Sequence, residues 1–121
     1  MIEIIINAFP PSVNRLHGGV CRSQRFYLTK EQKAFRAIVA EAVGSRRIDS
    51  EAVEVDITLF PKDRRRRDID NYTKGLFDGL TACKFWSDDS IVKRLSISWG
   101  AVGEAKTIVK VKEYEERQAE T

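Results

Sequence analysis

Between Lys62 and Asp89 the chain reads K-D-R-R-R-R-D-I-D-N-Y-T-K-G-L-F-D-G-L-T-A-C-K-F-W-S-D-D. Four arginines, Arg64, Arg65, Arg66 and Arg67, run directly into two aspartates, Asp68 and Asp70, and Lys74 stands four residues further on. Asp88 and Asp89 close the segment. Cations this dense hold phosphate, and carboxylates beside them suit a hard divalent metal. Hydrolysis of a phosphodiester needs a nucleophilic water and relief of charge in the transition state, and magnesium supplies both while keeping several of its own waters. Asp68 and Asp70, two residues apart, converge on one ion only where the chain is not yet regular helix. Asp89, just before a predicted strand, is expected to return to the same end of the sheet. Three carboxylates crowded together repel one another, and a divalent cation removes that penalty.

Each of these residues also has an ordinary reading. Asp68 is a good N-cap, Asp70 in a first helical turn suits the helix dipole, and Asp88 and Asp89 fit a turn. Lys74 fits as an i+4 partner of Asp70. The spacing alone leaves both readings open. A non-catalytic junction- or DNA-binding protein would use the same basic surface, and an RNA-binding module would need an aromatic pair on a strand that this chain lacks.

The elements that must hold this segment are read from pattern. Ile2–Ala8 is a short isoleucine-rich strand, ended by Pro10 and Pro11, which cannot donate to a ladder. Residues 12–28 read as a long basic connection, with Arg15, Arg22 and Arg25 as further phosphate contacts and His17 as a surface residue. A helix starts at Thr29, where Thr29 and Gln32 fit a capping box, and ends at Gly44; Phe35, Ile38, Val39, Ala42 and Val43 share its apolar face. Residues 52–60 alternate as a half-buried strand, Val53, Val55, Ile57 and Leu59 facing inward. A second helix is predicted over 69–82, with Asp70 and Lys74 on one side and a glycine pair, Gly75 and Gly79, suited to close approach of another backbone. Ile91–Trp99 is a strand with Leu95, Ile97 and Trp99 on one face. Residues 105–113 are a last strand with Thr107, Val109 and Val111 inward and Lys106, Lys110 and Lys112 outward, a row that touches nucleic acid or guards an edge. The order β-α-β-α-β-β predicts an α+β domain, a mixed sheet carrying both helices and ending in a hairpin. Residues 1–113 form that domain, and 114–121 are a polar acidic tail.

The chain has 121 residues, enough for one domain, and a net charge of +3. Residues 113–121 carry four glutamates and one arginine, so the other 112 residues carry +6. A basic body points to an acidic partner such as nucleic acid. Two cysteines, Cys21 and Cys83, and one histidine are too few for a closed zinc site and read as reduced thiols. No apolar run is long enough to span a membrane and the N-terminus has no basic signal-peptide region, so a soluble cytoplasmic protein without membrane contact is expected.

The run D-R-R-R-R-D-I-D-N, the lysine four residues after the second aspartate, then F-D-x-L-T and F-W-x-D-D, resemble the RusA family of Holliday-junction resolvases from Pro61 to Val92. The stretch P-P-S-V-N-R at 10–15 is similar to the one after that family's first strand. The resemblance implies a homodimer that cuts four-way DNA junctions with Mg2+ and no small-molecule cofactor, making paired symmetric nicks in recombination and repair. It implies that Asp68, Asp70 and Asp89 are the essential metal-holding carboxylates, that Lys74 is the essential lysine, and that Arg67 is the arginine before the first aspartate. Segment 12–28, the Gly75–Gly79 pair and the terminal hairpin are the candidate dimer surfaces.

Overall fold

The computed structural model describes the backbone of residues 1–13, 17–20 and 25–115 and the side chains of 1–13 and 28–115. Alternation of apolar residues builds the centre of a four-stranded sheet. β4 (Val53–Phe60) buries Val53, Val55, Ile57 and Leu59, and β6 (Lys106–Glu113) buries Thr107, Val109 and Val111 on the same face. β1 (Ile2–Ile6) adds Ile4 and Ile6. The strand order is β1-β6-β4-β5, with β5 spanning Val92–Trp99. β6 is antiparallel to both β1 and β4, while β5 is parallel to β4, Val92 lying opposite Val53 and Trp99 opposite Leu59. The expected α+β class and mixed sheet are what the chain forms.

The expected terminal hairpin is absent. β5 and β6 are not neighbours; β4 lies between them. The lysine row of β6 is therefore no edge guard, since β6 is interior. Lys112 pairs with Glu54 at 3.9 Å across the open face, and Lys106 lies 4.6 Å from the centre of the Phe60 ring. The edges are β1 and β5, and the face of β5 is less covered than the alternation suggested: Leu95 and Trp99 stay about two-fifths exposed.

Residues 12–28 also differ from the long connection expected. β2 (His17–Val20) and β3 (Arg25–Leu28) pair antiparallel as a separate ribbon. The period of two is hidden there because Gly18 and Gly19 carry no apolar side chain to show it. Arg15, Arg22, Cys21 and the tail residues 116–121 lie outside the described residues, as does the side chain of Arg25. At the near end of the tail, the Tyr114 N–H donates to Ala52 O at 3.1 Å. Among the described residues no helix is long and apolar enough to cross a membrane.

α1 (Lys30–Val43) starts where predicted. Thr29 Oγ1 accepts from the Gln32 N–H at 3.2 Å, which satisfies one of the free donors of the first turn. The other half of the capping box is not made: the buried Gln32 amide donates instead to Gly75 O, 3.2 Å away on the second helix. Gly44, at φ +63°, ends α1 with its N–H on Ala40 O. Phe35, Val39 and Val43 are buried, whereas Ile38 sits at the margin of the stripe, 38 % exposed.

The segment predicted as one helix over 69–82 is two pieces. A 3₁₀ turn covers Ile69–Asn71 and α2 covers Thr73–Ala82, with Tyr72 (φ −112°, ψ −9°) between them. Tyr72 is buried and packs edge-on to Phe9, ring centres 4.9 Å apart, so tertiary packing breaks the helix where the pattern continued. Leu76, Phe77 and Leu80 join the α1 stripe and the strand interiors in one core.

The glycine pair is used inside the chain rather than left for a second copy. Both glycines are buried; Gly75 accepts the Gln32 amide, and a Cβ at Gly79 would sit 3.4 Å from Val39 on α1. That distance leaves room for a methyl and nothing larger. Gly79→Ala is expected to hold or raise stability in urea unfolding, since alanine gains about 1 kcal/mol of helix propensity. Gly79→Leu is expected to lose roughly 1–3 kcal/mol from overpacking. Equal midpoints for the two variants would mean that α1 and α2 do not close on this position.

Candidate active site on the β4–α2–β5 crossover

β4 leaves the sheet at Phe60, and Pro61 delivers the chain into the arginine run. Asp63 organises this loop. Its Oδ1 accepts from the Arg65 N–H at 3.1 Å and from Arg67 Nη2 at 2.8 Å, and Arg67 Nη1 donates to the carbonyls of Asp63 and Arg65. The Arg65 amide and the Arg67 guanidinium hold the Asp63 carboxyl below its ordinary range. Arg67 also lies over the Phe9 ring at 5.5 Å, and its side chain is only 12 % exposed. Arg67 thus fixes the loop, and Arg64, Arg65 and Arg66 are the arginines that face solvent.

Asp68 and Asp70 come next, on the 3₁₀ turn, both exposed. Asp68 stands at the N-cap position of the turn, yet its side chain makes no capping hydrogen bond. Its ordinary role is therefore not the one it plays. Asp70 and Lys74 do not share one helix, because Tyr72 separates the turn from α2. Lys74 pairs instead with Asp78, one turn on, at 3.4 Å.

The end of α2 sets the second pair of aspartates. Lys84, at φ +64°, turns the chain out of the helix, and the Phe85 N–H closes on Leu80 O at 3.0 Å. Phe85 and Trp86 are thereby driven into the core, Trp86 Nε1 donating to Thr81 Oγ1 at 2.8 Å. Ser87 and Asp88 come out exposed beyond them, and Asp89 opens a 3₁₀ turn, Asp89–Ile91, that leads into β5. Asp88 takes its ordinary turn role, with Oδ2 accepting from Ser90 Oγ at 2.9 Å, a bond that holds its carboxyl below the usual value.

Asp89 does not return to the end of the sheet from which the arginines leave. Parallel pairing puts the start of β5 beside the start of β4, and the arginines lie beyond the other end of β4. What Asp89 meets is a surface cavity of about 350 Å³ that it shares with Arg36, Lys74, Asp78, Thr81 and Asp88. Asp68 and Asp70 do not line that cavity. Burial pushes the Asp89 carboxyl up, the charges of Asp88 and Asp78 push the same way, and Lys74 opposes them. Among the described residues no three metal-ligating side chains close into a cage. The donor set is still right for a hard cation, being all carboxylate oxygen, and magnesium is commonly held by one or two carboxylates with water and phosphate completing its shell.

Two cavity residues escape the sequence pattern. Asp78 is visible as the i+4 neighbour of Lys74, but Asp70 at i−4 offers the same pairing. Arg36 has no local signal, since α1 and α2 bring it to the cavity from 38 residues away. Its Nε is buried without a hydrogen-bond partner.

A family profile described as Endodeoxyribonuclease RusA matches residues 9–112. The crossover junction endodeoxyribonuclease RusA of Escherichia coli strain K12 is 37% identical over 87 residues, which is 69% of this chain and 71% of that protein. The protein of that name from Enterobacteria phage 82 matches at 37% with the same coverage, and that of Shigella sonnei strain Ss046 at 36%. The profile takes in the arginine run, the crossover helix and the strands β4 and β5 that the crossover joins. The chain belongs to the RusA family of endodeoxyribonucleases, as its central motif implied.

Proposed function

We propose that this protein is a magnesium-dependent, structure-selective endonuclease that resolves four-way DNA junctions by paired symmetric nicks in recombination and repair. The observation that carries the reading is the shared cavity: a lysine, an arginine and three aspartates meet on the crossover that begins with the arginine run. The family relatives support it, being named for cutting crossover junctions. A DNA substrate supports action in the cytoplasm.

Asp68, Asp70 and Asp89 would hold the metal only once the 3₁₀ turn that carries Asp68 and Asp70 is brought to Asp89, since of the three only Asp89 lines the cavity. Bound there, the ion would polarise the scissile phosphate and make an attacking water more acidic. Lys74 is positioned to hold or orient the phosphate. Its side chain is 56 % exposed and its bond to Asp78 is a loose surface pair, worth about 0.2–1 kcal/mol. The ammonium is therefore free to turn toward a phosphate oxygen. Arg36 offers a second cation on the same cavity. Arg64, Arg65 and Arg66 hold neighbouring phosphates, while Arg67 keeps their loop in shape. Arg15, Arg22 and Arg25 would extend the contact. The described residues carry one such cluster, so two symmetric nicks call for a second copy. A two-fold homodimer supplies it.

Asp70→Asn keeps the shape and removes one charged ligand. It is expected to abolish magnesium-dependent cleavage of a synthetic junction while leaving binding equal or tighter. Lys74→Ala is expected to slow single-turnover cleavage on the order of 100- to 1,000-fold with affinity nearly unchanged. Wild-type rates in either variant would refute the role given to that residue.

The crowding at Asp89 has a stability consequence. An acid whose carboxyl is raised in the folded state binds its proton more tightly there, so the ionised form costs stability. That cost is full above the folded value and absent below the unfolded value of about 4. In chelator at pH 7, Asp89→Asn is expected to melt above the wild type, and the gap is expected to close as pH falls toward 4. Magnesium should narrow it as well by binding the folded wild type. Calorimetry showing no gap at pH 7 would mean that Asp89 is not under strain.

A further inference from the structure

Trp99 is the exposed tryptophan of this chain. Trp86 is 1 % exposed and hydrogen-bonded in the core, whereas Trp99 is 40 % exposed on β5, an edge strand. Its ring is not loose. Phe9 lies parallel to it, 4° between planes and 6.1 Å between centres, and Tyr72 meets it edge-on at 6.2 Å. The two neighbouring rings therefore hold the indole in a fixed plane. The part left uncovered lines a cavity of about 270 Å³ whose other wall is the arginine loop, Arg64, Arg65 and Arg67.

Backbone bonds tie the two walls together. The Gly100 N–H donates to Leu59 O at 2.8 Å and the Gly103 N–H to Pro61 O at 2.9 Å, so the turn after β5 is fastened to the strand that feeds the arginines. Asp63 and Arg67 brace the arginine side. Arg65 has only a loose 3.5 Å pair with Asp63 and its side chain is 73 % exposed. A rigid π-face thus stands opposite solvent-facing guanidinium groups. That pairing fits a flat base with a phosphate attached. It does not fit a purely apolar partner, because desolvating the arginines would be costly.

We infer that Trp99 and the arginine loop form a binding pocket for one unstacked nucleotide of a DNA strand, the base on the indole and its phosphate on Arg64 and Arg65. The inference rests on the DNA-cutting reading and adds to it a site separate from the Lys74–Asp89 cavity. A branched substrate offers such nucleotides where its arms meet, and a continuous duplex does not. The pocket would therefore favour branched over linear DNA without reading sequence, since every base has a π-face.

The test uses the full chain in chelator, so that nothing is cut, with a four-way junction and a linear duplex of equal length. Acrylamide-accessible tryptophan emission reports Trp99, because Trp86 is buried. The junction is expected to quench that emission and protect it from acrylamide, and the duplex to do so much less. Trp99→Ala is expected to weaken junction binding on the order of 10- to 100-fold and duplex binding little, with Trp99→Phe recovering most of the loss. Junction binding that leaves wild-type Trp99 emission unchanged would overturn the pocket while the nuclease reading stood. Loss of self-association by Trp99→Ala in sedimentation without DNA would overturn it too, by making Trp99 a contact between copies. Failure of the wild type to bind any branched DNA would overturn both.

Discussion

Parallel hydrogen bonding between β4 and β5 is the constraint on which the rest of the molecule depends. A parallel neighbour cannot be reached by a tight turn; the chain must travel back the length of the strand before pairing. Here it leaves at Phe60 and resumes at Val92, opposite Val53. α2 makes that journey, packed against α1 through Gly79 and the Gln32–Gly75 hydrogen bond. The whole charged segment rides on this crossover. The arginine loop sits where the chain departs, Lys74 and Asp78 ride on the helix, and Asp88 and Asp89 stand where it arrives.

The crossover also divides labour among charges that look equivalent in the sequence. Arg67 is enclosed by Asp63 and Phe9 and acts on its own loop, and its three neighbours face solvent. Asp88 is satisfied by Ser90, while Asp89 beside it is crowded by Asp78 and Asp88 and partly desolvated. A folded chain keeps such a carboxylate at a cost in stability, and a site that waits for a cation or a phosphate group is where that cost is expected. Arg36, with a buried donor left unbonded beside the same aspartates, belongs to the same pattern.

Strong periodicity made the core legible from sequence. Val53, Val55, Ile57 and Leu59, the Phe35–Val39–Val43 stripe and the Thr107–Val111 alternation all face inward as read. Pairing was not legible in the same way, because alternation says which face of a strand is buried and nothing about its neighbour. Hence the supposed hairpin of β5 and β6, and the edge-guard alternative for Lys106, Lys110 and Lys112. Tyr72 broke a helix that the pattern carried through, since its burial against Phe9 is a contact across 63 residues. The site was readable as a motif before it was readable as a geometry. Asp68, Asp70, Lys74 and Asp89 stand out by type and spacing, but the Lys74–Asp78 pair and the arrival of Arg36 depend on how α1 and α2 meet.

Under the proposed function, this crossover cuts branched DNA with a divalent ion, two copies acting on one junction. A supercoiled plasmid that extrudes a cruciform tests it most directly, incubated with the protein at micromolar concentration, with and without magnesium, and sampled over time. The account predicts no cutting in chelator and, with magnesium, linear plasmid among the earliest products, since both nicks fall within one binding event. A plasmid left intact in magnesium, or nicked circles alone from start to finish, would contradict it.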